Sequence, residues 1–127
     1  MNSLKHKLYA TPCKIAYLGG SVTVQKNGYR SHLHQLICNE TQQAHQAINA
    51  GIGGVGSIVH AFLLNDFVLK HHPDFCFVEC AIVDGEGMTP NRYIRKSLES
   101  ICQGLSSQEI PFSFLYLFKN KSIKFYK

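Results

Sequence analysis

The stretch Lys14–Gln25, KIAYLGGSVTVQ, decides how the chain is read. With Cys13 it opens as a short apolar run ending at Leu18, and Ile15, Ala16, Tyr17 and Leu18 follow one another directly. Pro12 bounds the run on one side and Gly19-Gly20 on the other. A run of this kind between turn residues predicts a buried strand. The chain then leaves the strand through two glycines and a serine. Two readings of Ser21 compete. It either caps a helix at a strand-to-helix connection, or it is a nucleophile held at the edge of a sheet.

Outward from this stretch the hydrophobic period changes. From Gly28, Tyr29, Leu33, Leu36 and Ile37 recur along one helical face. A second strand is predicted over Gln46 to Ala50, and it runs into Gly51-Ile52-Gly53-Gly54-Val55-Gly56, too glycine-rich for regular structure. Ser57 is the expected N-cap of a helix over Ile58 to Lys70. In that helix Val59, Phe62, Leu63 and Phe67 form a face, widened by Leu64, Val68 and Leu69. Pro73 stops it. Phe75 to Val83, FCFVECAIV, reads as a central strand buried on both sides. Asp84 to Gly87 reads as a loop, and Thr89-Pro90 as a cap followed by the first helical residue. Ile94, Leu98, Ile101 and Leu105 mark a third helix that Ser106-Ser107 breaks. A fourth strand is expected over Ile110 to Phe118. Strands alternating with helices predict an α/β fold with a mainly parallel sheet and helices on both faces. Residues 1–12 read as a lead-in, 13–118 as the domain and 119–127 as a basic tail.

Charge and composition narrow the function classes. The 127 residues carry 13 Lys+Arg against 8 Asp+Glu, a net +5. Four of those lysines, Lys119, Lys121, Lys124 and Lys127, lie in the tail, leaving nine cations against eight acids. The body is nearly neutral and has no basic stripe along a helix, which argues against nucleic acid. Cys13, Cys38, Cys76, Cys80 and Cys102 form no C-x-x-C pair and mostly sit in apolar segments. They read as buried thiols in a reducing cytoplasm. The N-terminal residues have no apolar core of a signal peptide, and no apolar run is long enough to span a bilayer. No His/Cys/Asp set has metal-ligand spacing. Neither a metal nor a cofactor is expected.

In a parallel sheet, function collects at the carboxyl ends of the strands. Three loops leave those ends: Gly19-Gly20-Ser21, Gly51 to Gly56, and Val83-Asp84-Gly85. A dinucleotide cradle fits poorly. Gly51, Gly53 and Gly56 match G-x-G-x-x-G, but they follow the second strand, and Asp74 starts a strand instead of ending one. Acyl chemistry fits better. A serine after the first strand needs backbone N–H donors for a developing oxyanion, and a glycine-rich loop beside it supplies them. It also needs a base, normally a histidine steered by an acid.

Gly19-Gly20-Ser21-Val22-Thr23, then Asn49-Ala50-Gly51-Ile52-Gly53-Gly54-Val55-Gly56-Ser57, then Pro73-Asp74-Phe75 leading to Val78-Glu79-Cys80-Ala81-Ile82-Val83-Asp84, together resemble the SGNH (GDSL-like) hydrolase family. The resemblance covers roughly residues 13–118 and implies a three-layer, flavodoxin-like α/β/α fold. It implies that Ser21 is the nucleophile and that the Ser21 and Gly54 amides are oxyanion donors. It implies small acyl esters or O-acetylated carbohydrates as substrates. Two positions depart from the family pattern. Its third block ends in Asn-Asp with the Asn as a donor, and here Val83-Asp84 stands there. Its catalytic D-x-x-H is not found, because the last histidine is His72 and the last aspartate Asp84. The expectation is a C-terminally truncated domain whose general base is unknown.

Of the histidines, His32 and His34 face different ways on one helix. His71 and His72 lie at the far end of another, and His60 sits in the first turn after the glycine loop. Each is expected to be a surface or capping residue, with His60 the nearest to a substitute base. Glu79, in a buried strand, should be paired or hydrogen-bonded; it also matches an acid common in the third block of the resembled subgroup, which implies a structural role beside the site. Arg92 and Arg95 are expected on a solvated face. The function expected is an ester hydrolase of weak or no activity. The alternatives are a non-catalytic remnant or binding subunit of the same fold, and an acyltransferase on the same scaffold. A truncated sheet edge would favour self-association.

Overall fold

The alternation within residues 14–19 sets the layers of the molecule. In a computed structural model, which describes residues 2–117, these residues form strand β1 (Lys14–Gly19). Ile15 and Tyr17 face one side of the sheet and Ala16 and Leu18 the other, as the two-residue period of a strand requires. β2 (Gln46–Gly51), β3 (Phe75–Glu79) and β4 (Phe112–Phe114) complete a sheet in the order β2-β1-β3-β4. Every pairing is parallel, with Gly19 opposite Gly51 on one side and Glu79 on the other. The carboxyl ends of β1, β2 and β3 are therefore level with one another.

Helices cover both faces, as expected. α1 (Asn2–Ala10) and α3 (Tyr29–Thr41) lie on the face of Ile15 and Tyr17, where Leu4, Leu8, Tyr29, Leu33 and Ile37 pack with Phe75. α4 (Ser57–Phe62), α5 (Leu64–Phe67) and α7 (Asn91–Ser107) lie on the other, where Leu64, Val68, Ile101 and Leu105 pack against Ala16, Leu18 and Val78. Tyr17 at 0% exposure is buried from both directions. Residues expected as a lead-in thus form α1, which contributes Leu4 to the core.

The structure corrects several expectations. The single helix over Ile58 to Lys70 is broken at Leu63 and again at Val68, and it ends in a 3-10 turn over Leu69–His71. The breaks turn both Leu64 and Val68 into the core, and Leu64 fits against Gly104 of α7. Phe62, expected on the buried face, is left 88% exposed. The apolar run Phe75 to Val83 is a strand only as far as Glu79, and Ala81–Glu86 form helix α6. β3 stops where its pairing with β1 stops, and the Asp84 N–H then donates to the Cys80 carbonyl at 3.0 Å. Val83 and Asp84 are therefore helical. The residues capping α4 and α7 are Gly56 and Pro90, not Ser57 and Thr89. β4 is three residues long, with one further ladder bond from the Leu115 N–H to the Val78 carbonyl. Phe118 and the tail 119–127 lie outside the described residues.

Candidate active site

At the carboxyl end of β1 the chain turns into the one-turn helix α2 (Ser21–Val24). Gly20 occupies the cap position and Ser21 is the first helical residue, so Ser21 is not the cap. The Thr23 and Val24 amides donate to the Gly20 carbonyl at 3.0 and 3.2 Å, which closes the turn. Ser21 is exposed, and neither its hydroxyl nor its amide makes a hydrogen bond among the described residues.

The glycine loop after β2 meets this turn. The Ile52 N–H donates to the Gly19 carbonyl at 2.9 Å. Gly54 is exposed with φ +78, a backbone conformation that a side chain would strain. Its amide is also unbonded among the described residues. Two unbonded amides, on Ser21 and Gly54, thus lie on adjoining loops at one sheet edge.

α6 forms the third wall. A Cβ placed on Gly20 would stand 2.9 Å from Val83 Cγ2 and 3.6 Å from the Val55 carbonyl oxygen, so the two loops and α6 converge at Gly20. Val83 offers a methyl group there and no donor. Asp84 Oδ1 accepts from the Ser57 N–H at 2.9 Å and so caps α4 from a distant part of the chain. A Cβ on Gly56 would fall 2.2 Å from that same oxygen, so the approach requires glycine.

No base reaches Ser21 among the described residues. His60 is not a surface residue as expected: its ring is 1% exposed and neither nitrogen has a partner. Burial pushes it below its ordinary value of 6.5, against the pull of the Gly19 carbonyl and the Asp84 carboxylate. His34 is also turned inward, its Nδ1 against Tyr17 Oη at 2.9 Å and its Nε2 against the His45 carbonyl at 2.7 Å. His32, His71 and His72 are exposed. The last two precede β3, at the opposite end of the sheet from Ser21. Among the described residues no group of three or more His, Cys, Asp or Glu is placed to hold a metal. No helix there is long and apolar enough to cross a membrane.

Beside the turn lies a set of residues that local patterns did not single out. Glu79 Oε1 accepts from the Gly20 N–H at 3.3 Å and the Thr23 hydroxyl at 3.2 Å. Thr23 Oγ1 is 2.7 Å from Tyr29 Oη, and the Arg30 Nε–H donates to the Thr23 carbonyl at 2.7 Å. The sequence signals for this group were an acid inside a buried strand and its match to an acid in the third block of the family the chain resembles.

No protein-family model and no curated protein matches the sequence. Solved structures do. A protein assigned to the G-D-S-L lipolytic family, from Desulfitobacterium hafniense DCB-2, superposes over 90% of this chain with TM-score 0.71 and 16% identity. A two-domain esterase active on acetylated mannans superposes over 91% with TM-score 0.76 and 22% identity. The chain has the SGNH/GDSL hydrolase fold. An acetylxylan esterase from Geobacillus stearothermophilus, solved as a catalytic mutant, extends the likeness over 82% of this chain, with TM-score 0.68 and 14% identity. This SGNH-fold chain spans 67%, 32% and 59% of those three chains respectively.

Proposed function

We propose that the site is that of an SGNH-type ester hydrolase, with Ser21 as nucleophile and the Ser21 and Gly54 amides as oxyanion donors. The observation that carries this reading is the exposed, unbonded Ser21 at the end of β1, beside a second unbonded amide on the adjoining glycine loop. In the reaction, Ser21 Oγ bonds to the acyl carbon and the ester C–O bond breaks. The alcohol leaves with the proton that Ser21 gave up, and water then releases the acid and restores Ser21. Small acyl esters and O-acetylated carbohydrates are the substrate class. The esterases of this fold described above, active on acetylated mannans or acetylxylan, support that choice.

Turnover by this chain alone should be close to background. Val83 stands where a third donor would be, and a missing donor typically costs on the order of 10²–10³ in rate. Among the described residues the proton of Ser21 has no side-chain acceptor. The test is p-nitrophenyl acetate hydrolysis by the wild type and by Ser21→Ala. A small rate that disappears in Ser21→Ala supports the reading. An ordinary enzymatic rate lost in Ser21→Ala refutes the claim of a missing base, and a rate that Ser21→Ala leaves unchanged refutes the nucleophile.

The second reading, a binding subunit without turnover, rests on the same unpartnered hydroxyl. It predicts saturable binding of an acetylated manno-oligosaccharide with no acetate released. The free state of all five thiols supports a reducing, cytoplasmic setting. The outer side of the short β4 is the edge through which self-association would run, and sedimentation reads it.

A further inference from the structure

Glu79 is 0% exposed, and no lysine or arginine forms an ion pair with it among the described residues. A buried carboxylate without a cation costs several kcal/mol unless hydrogen bonds offset it. Its two bonds are not spread over the fold. Both go to the segment around Ser21, one to the residue before it and one to the second residue after it. The Thr23 link is itself held from outside. Tyr29 Oη meets Thr23 Oγ1, and because that hydroxyl donates to Glu79, the Tyr29 hydroxyl donates to Thr23. The Arg30 guanidinium donates to the carbonyls of Thr23, Val24 and Gln25 and holds the end of α2.

We infer that Glu79 is a positioning residue for Ser21: it ties down both flanks of the nucleophile turn from beneath and leaves the Ser21 amide as the free donor. The Gly20 amide is spent on Glu79, so it cannot serve an oxyanion. Glu79 does not touch the substrate and acts through Gly20 and Thr23. This inference rests on the reading of Ser21 as the nucleophile.

Burial raises the Glu79 carboxyl above its ordinary 4.5. The Gly20 amide, the Ile82 amide and the Thr23 hydroxyl oppose the rise, and the Asp84 carboxylate adds to it. Ile82 lies close enough to favour the ionised form but outside hydrogen-bond geometry, since Oε2 has no partner.

The test uses nuclear magnetic resonance and covalent labelling on the whole chain. In the wild type the Gly20 and Ser21 amide signals should follow one carboxyl titration with a midpoint above 4.5. In Glu79→Gln, which keeps an acceptor but loses the charge, that titration should vanish from both signals. Signals that do not titrate, or that still titrate in Glu79→Gln, overturn the proposal. Labelling of Ser21 by a fluorophosphonate should be about tenfold or more slower in Glu79→Ala than in Glu79→Gln, and similarly slowed in Thr23→Val, which tests the same link if Glu79→Ala does not fold. Equal labelling rates in folded variants also overturn it. If the wild type is not labelled at all, as the missing base allows, the amide titration alone decides the role of Glu79.

Discussion

Acidification should destabilise this chain well before ordinary carboxylates protonate, because two histidines are enclosed as neutral rings. His45 Nδ1 accepts the Cys13 N–H at 2.9 Å, and its Nε2 lies 2.9 Å from Thr41 Oγ1. Thr41 donates to the Ile37 carbonyl at 2.7 Å, so it accepts from His45 Nε2–H. A second proton on His45 would have to sit on Nδ1, facing another N–H. His60 has no partner at either nitrogen. Burial is the first cause lowering both rings below the ordinary 6.5. The sign follows from linkage. Where the folded value is lowered, the unfolded chain binds more protons below 6.5, and stability falls as pH falls. For a ring that stays neutral in the fold, moving from about pH 7.5 to about pH 5.5 costs about 1.4 kcal/mol, and two rings cost about 2.7 kcal/mol. That is a large part of a typical domain stability of about 5–15 kcal/mol. Glu79 acts in the opposite sense. Its folded value is raised, so the folded chain binds more protons and stability rises as pH falls through that value towards 4.5. Urea unfolding followed by far-ultraviolet circular dichroism in a Glu79→Gln background removes that opposition. The loss expected there is at most about 2.7 kcal/mol, the limit for two rings that stay neutral, and it shrinks in His45→Gln and in His60→Leu. A stability that is flat or rises over this range would refute the assignment of neutral buried rings.

Two further outcomes test the site. Gly56→Ala places a methyl 2.2 Å from Asp84 Oδ1, which must turn away and leave the Ser57 amide unbonded; the expected cost is about 1–3 kcal/mol in the urea midpoint, nearly all of which Asp84→Ala should abolish in the double mutant. Val83→Asn offers an amide donor at the wall beside Gly20. It should raise Ser21-dependent p-nitrophenyl acetate turnover by about tenfold or more, and an unchanged rate in folded protein would remove Val83 from the oxyanion site.

Much of the architecture is local and was legible in the chain. Ile15 and Tyr17 alternate with Ala16 and Leu18, so one strand buried on both faces could be read from six residues. The spacing of Ile94, Leu98, Ile101 and Leu105 likewise specified a helix that the structure contains as α7. The run FCFVECAIV was not decidable in this way. Its apolar residues satisfy strand and helix alike, and the change at Cys80 comes where β3 runs out of a partner at Gly19.

The sequence by itself located the Gly19-Gly20-Ser21 turn, the glycine loop and the Val83-Asp84 block, and their order along the chain. Gly19-Gly20-Ser21, the glycine run to Gly56 and Val83-Asp84 are adjacent in a parallel sheet because consecutive βα units bring strand ends to one edge. Only the tertiary structure decided what surrounds Ser21. His60 could have been exposed or enclosed, and packing of α4 beneath the sheet enclosed it. Glu79 stands 59 positions from Gly20, and the register of β3 against β1 brings its carboxylate to that amide. Burial and long-range hydrogen bonds depend on pairings between distant segments, which a local pattern of residues does not encode.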